Sequence, residues 1–134
     1  MADHFRTLTL RIDWSEIDLF GHVNNVAIMK YVQAARVDFL EALGLMQQKA
    51  ETGIGPILAS VSCRFMRPLF YPGHVSTSAR AAAVGTTSFE IRYELRDDGG
   101  KLAARATDII VLFDFMKQTK VPLSRALKEM ILNL

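Results

Sequence analysis

The chain has 134 residues, half of them apolar and 22% charged, with a formal charge of +2. That is enough to bury a core in one domain spanning 1–134, and it is the composition of a globular protein rather than a disordered one. The basic residues are spread along the sequence instead of clustering, which argues against a nucleic-acid binder.

Cys63 is the one cysteine, so an internal disulfide is excluded and a reducing, cytoplasmic setting is expected. No Cys/His cluster has zinc-ligand spacing, so no metal is expected. No apolar run approaches the roughly 20 residues of a membrane helix. The opening MADHFRTLTLRID lacks the charged-then-apolar layout of a signal peptide.

In chain order, residues 5–13 alternate: Leu8, Leu10 and Ile12 face one way, Thr7, Thr9 and Arg11 the other, which predicts a strand. Residues 24–43 predict a helix, with Asn24 as N-cap and Gly44 where a terminating glycine belongs. Its apolar residues cover most of the circumference, so it wants burial on more than one side. The stretch ETGIGP reads as a loop. Strands follow over 57–67, 75–84, 87–96 and 101–115. In the first of these Ile57, Ala59, Val61, Cys63 and Phe65 share a face. The last holds IIVLF, apolar on both faces and therefore central. DDGG at 97–100 marks a hairpin turn. Pro122 suits the first position of a final helix whose stripe is Leu123, Ala126, Leu127, Met130, Ile131 and Leu134.

The fold class is thus α+β. A curved antiparallel sheet of about five strands wraps one long apolar helix, with a C-terminal helix added. Such a small sheet leaves open edges, which predicts at least a homodimer.

The polar run DLFGHVNN, residues 18–25, stands at the start of that apolar helix. With RIDWSEIDLFGHVNNVAIMKYVQAARVDFLEALGL and FMRPLFYPG, the chain resembles the hotdog-fold acyl-CoA thioesterases of the 4-hydroxybenzoyl-CoA thioesterase type, over about residues 8–128. The resemblance implies hydrolysis of an acyl-CoA thioester, with CoA as part of the substrate and no separate cofactor. It also implies an acid at the position of Asp18, acting as nucleophile or general base, and an N–H at the position of Asn25 that polarises the carbonyl. The second half-site is implied to come from a partner subunit near GIGPILASVSC, making Gly55, Ser60, Val61 and Ser62 candidates to face the acyl group. A dimer of dimers is compatible with the family.

The residues fit this chemistry. A thioester carbonyl needs an attacking group or a base, and donors for the oxyanion. Asp18 supplies the first; helix-start N–H groups near Asn24 and Asn25 supply the second, since they have no intrahelical partner. Gly21 allows a tight turn close to substrate. Each residue also has a plainer role: Asp18 a turn or cap, Asn24 a cap, and His22 a base, a partner of Asp18 or a structural group. Asp13 and Glu16 could form a like-charge cluster with Asp18 that raises a pKa, but they suit a solvated loop better, and Arg36 needs a buried partner such as Asp13. Arg64, Arg67, Arg80, Arg92, Arg105, Lys117 and Lys120 are candidates for the phosphates of CoA. Two rival readings are a non-catalytic binding module for an acyl thioester or other apolar ligand, and a hotdog dehydratase or hydratase acting on acyl carrier protein.

Overall fold

The structure, a computed structural model, describes residues 5–134. Five long strands run β1 Arg6–Arg11, β2 Ile54–Phe65, β3 His74–Ala82, β4 Ser88–Arg96 and β5 Leu102–Asp114. They form one antiparallel sheet in the order β1-β3-β4-β5-β2, and a two-residue β6, Thr119–Lys120, pairs with the end of β5. β5 lies between β4 and β2, as its two-sided apolar core requires.

The long helix α1, Asn25–Ala42, lies against one face of this curled sheet. Its eighteen residues span about 27 Å. Asn24 caps it: the side-chain oxygen accepts from the Ala27 N–H at 2.7 Å. Gly44, at φ +75°, ends it in a conformation that a side chain disfavours. Val32 and Phe39 are wholly buried in one core with Phe89, Ile91 and Leu95 of β4 and Val75 of β3.

Strand alternation splits the sheet into two chemically distinct faces. Val75, Thr77, Ala79, Phe89, Ile91, Tyr93, Leu95, Ala104, Ala106 and Asp108 point inward and are buried. The intervening Ser76, Ser78, Arg80, Glu90, Arg92, Glu94, Arg96, Arg105 and Thr107 point outward.

Four details depart from the sequence reading. A second helix, α2 Leu45–Thr52, precedes β2, which begins three residues early; the sequence hid it because Leu45 alone is buried. β2 carries a bulge between Leu58 and Ser60. One extra residue inverts the alternation, so Ile57 faces outward opposite Val111 while Val61, opposite Asp108, faces inward. The last helix, α3 Arg125–Asn133, starts after Pro122, because the Ser124 hydroxyl oxygen accepts from the Leu127 N–H at 3.1 Å and makes the better cap.

The fourth is the partner of Arg36. Asp13 instead caps a single 3-10 turn, Trp14–Glu16, and Arg36 reaches Asp108 through two hydrogen bonds at 2.7 and 3.0 Å. Asp108 is fully buried and also accepts from the Tyr93 hydroxyl at 2.5 Å. The triad pins the middle of α1 to β4 and β5.

Candidate active site at the start of the long helix

Residues 17–23 fold into a minute hairpin closed by a bridge between Ile17 and Val23. At its tip the Gly21 N–H donates to the Asp18 carbonyl at 3.1 Å, and the Asp18 N–H donates to the His22 carbonyl at 2.9 Å. Gly21 has φ +81°, the left-handed conformation this turn needs. The Asp18 carboxylate accepts from the Phe20 N–H at 2.8 Å through Oδ1. That bond fixes the rotamer and leaves Oδ2 available.

The hairpin is tied to the helix start by a short relay. The backbone and side-chain N–H groups of Asn24 both donate to the Glu16 carbonyl, at 2.9 and 3.0 Å. The Glu16 carboxylate accepts from the Asp13 N–H at 2.8 Å and from the Tyr31 hydroxyl at 2.6 Å. Burial, reinforced by Glu16, raises the Tyr31 pKa above its ordinary value, so this hydroxyl stays a donor. Asp13 and Glu16 are therefore scaffold rather than free loop carboxylates.

The capping bond to Ala27 leaves two further helix-start donors. Among the described residues, nothing accepts from the Asn25 or Val26 N–H. Both residues are exposed. The structure thus brings a carboxylate, two open amides and the positive end of a helix dipole to one loop–helix junction. Around it stand exposed apolar side chains: Trp14, Leu19, Phe20 and Val26.

His22 is held differently. Its ring meets Phe70 edge-on with centroids 5.4 Å apart, and its side chain makes no hydrogen bond to Asp18. The Leu69 carbonyl accepts from the Val23 N–H at 2.9 Å, so the segment after β2 braces the hairpin. Sequence reasoning missed the part played by Phe70, since nothing local marks an aromatic that packs on a residue 48 positions away.

The candidates on β2 are placed elsewhere. Val61 is on the inner face, half exposed where α1 does not cover the strand, whereas Ser60 and Ser62 point outward opposite Ile109 and Thr107. Gly55 lies at the other end of β2. A Cβ there would stand 2.4 Å from the Lys49 Cβ, so the glycine lets α2 press onto the strand. Within one subunit these residues are not gathered at Asp18.

A curled antiparallel sheet around one long helix, with a polar junction at the helix start, is the hotdog fold. The chain belongs to the thioesterase-like superfamily, whose family model matches residues 12–131. It is 28% identical over 82 residues to the Bacillus subtilis protein YsmA, covering 61% of this chain and 54% of that protein. It is 29% identical over 91 residues to the chloroplastic acyl-acyl carrier protein thioesterase ATL3 of Arabidopsis thaliana, covering 67% and 47%. The match thus spans about half the length of each of these relatives. Among solved structures it is similar to Slr0204, a 1,4-dihydroxy-2-naphthoyl-CoA thioesterase from Synechocystis, with TM-score 0.83, 18% identity and 96% of each chain covered.

Proposed function

We propose that the protein hydrolyses an acyl thioester of the CoA type at the junction of the Asp18 hairpin and α1. Asp18 takes a proton from water as the water oxygen attacks the carbonyl carbon, or adds to that carbon itself to give an anhydride that water then opens. Either way the C–S bond breaks, the acid is released and the thiol leaves with a proton. The Asn25 N–H, with Val26 beside it, holds the oxyanion, where the helix dipole favours negative charge. His22, held by Phe70, shapes the wall of the site, and Gly21 and Asn24 set the approach of the backbone. No metal or separate cofactor is used; CoA belongs to the substrate.

The observation that carries this reading is the pair of open amides beside an aspartate whose rotamer is already fixed. Family membership and a fold shared with CoA thioesterases support it. The site is completed by a second copy. β2 is a twelve-residue edge strand whose Leu58, Val61 and Phe65 are exposed beside α1, and pairing two such edges shelters them and sets the partner's Gly55–Ser62 stretch beside the acyl group. The soluble homodimer acts in the cytoplasm.

The test is a panel of acyl-CoAs, aliphatic and aromatic, followed with a thiol-detecting dye. The expected result is catalytic release of one thiol per acid from at least one of them. Saturable binding of acyl-CoAs with no thiol release from any would favour the binding-module reading instead.

A further inference from the structure

The outer face of the sheet carries a feature that hydrolysis at the helix start does not use. Two rows of cross-strand neighbours run side by side over β3, β4, β5 and β2. One reads Arg80, Arg92, Thr107, Ser62; the next reads Ser78, Glu94, Arg105, Arg64. Arg80 therefore stands directly opposite Arg92, and Arg105 directly opposite Arg64. Like charges placed opposite one another on a sheet cost stability.

The acids present relieve this only in part. Glu94 is engaged by Arg96 at 3.0 Å, and Arg105 reaches its other oxygen only at 3.6 Å. Arg92 stands 3.7 Å from Glu90. Among the described residues Arg64 has no carboxylate partner, and the Arg80 guanidinium lies over the Phe5 ring, 5.5 Å from its centroid. Two shallow grooves cut this surface, of ≈ 360 and ≈ 220 Å³, and share Arg105 and Thr107 as a common wall. Folding requires none of these charges, since the face is open to solvent.

We infer that this face docks an acidic protein, an acyl carrier protein that presents its acyl group as a thioester. This rests on the thioesterase reading for the choice of partner and adds to it a delivery surface. Three observations select that partner. The patch is four strands wide, about 14 Å, and its arginines are spread over it, which matches an acidic helix better than one phosphate group. Of the two aromatic residues that line it, Tyr93 is buried and Phe5 is already covered by Arg80, leaving no slot for a nucleotide base. A second copy seated here across a two-fold axis would set arginines against arginines.

The position also suits delivery. Arg64 and Arg105 lie at the end of the sheet where α1 begins. The Met66 and Arg67 N–H groups bond the Ala103 carbonyl at 2.8 and 3.0 Å, and Leu69, two residues on, braces the Asp18 hairpin. A pantetheine arm leaving a carrier docked on these arginines rounds the end of the sheet to reach the helix start.

The test uses the full chain and its double variant R64E/R105E. Binding of fluorescently labelled acyl carrier protein is read by anisotropy at low and physiological salt, so it is independent of turnover. The expected result is binding that weakens with salt and falls at least about tenfold in the variant. Turnover of acyl-pantetheine, which carries no phosphate, stays unchanged in both proteins. Absence of carrier binding by the wild type, or equal binding by the variant, overturns the docking surface. A variant that loses acyl-CoA turnover while carrier binding persists also overturns it, assigning the arginines to the nucleotide phosphates. Failure of the thioesterase reading shows separately, as absent acyl-pantetheine turnover in the wild type.

Discussion

Asp108 is the one carboxylate in the described core, and its three short contacts show what keeps it there: two guanidinium bonds from Arg36 and the Tyr93 hydroxyl. Burial and the neighbouring carboxylate both push the Tyr93 pKa upward, so that hydroxyl stays protonated and donates. A buried pair of this kind costs most when only one member is removed. D108N is expected to lose about 3 kcal/mol of unfolding free energy in urea titrations, through the uncompensated charge left on Arg36. The double variant R36M/D108L is expected to lose less than D108N. Equal stability of D108N and the wild type would show that the triad does not anchor α1. The sequence said that Arg36 needed a partner and could not say which. Asp13 was near in sequence, whereas Asp108 comes 72 residues later, on a strand where a single acid interrupts an apolar run. Asn24, by contrast, was legible as the cap because its bond to Ala27 is local.

Among the elements, the periodic ones were read correctly: α1, β3, β4 and β5, together with the DDGG hairpin, where the Gly100 N–H closes onto the Asp97 carbonyl at 2.9 Å. What the sequence concealed depends on packing or on a single inserted residue. α2 has one buried residue and no stripe. The β2 bulge parts Ile57 from Val61, which strict alternation puts on one face: Ile57 joins Ser60 and Ser62 on the outer surface, and Val61 faces α1. β2 also carries the largest unmet demand in the fold, since all of its neighbours lie on one side. An edge strand of twelve residues with exposed apolar groups on both faces is expected to pair with its copy. Sedimentation equilibrium is expected to give twice the 15.0 kDa chain mass at micromolar concentration. A monomer at that concentration, with acyl-CoA turnover intact, would remove the partner's half-site from the account.

At the scale of the whole molecule the two faces of the sheet differ in chemistry. The inner face buries α1 and presents its start, where the backbone offers hydrogen bonds and the Asp18 hairpin offers a carboxylate. The outer face gathers four guanidinium groups, of which Arg64 and Arg105 stand at the same end of the sheet. Of the candidate site, the Asp18–Asn25 segment was legible because its glycine, its cap and its turn are all local signals. The grouping of Arg64, Arg80, Arg92 and Arg105 was not, because it exists only once four strands are in register.

The central claim concerns one oxygen atom. An asparagine at position 18 keeps the acceptor for the Phe20 N–H, so D18N leaves the turn intact and removes only the charge and the second basic oxygen. The most direct measurement is the rate of thiol release from the best acyl-CoA substrate by D18N, with circular dichroism confirming an unchanged fold. The account predicts a fall in kcat of at least about a hundredfold; a rate within a factor of two of the wild type would contradict it.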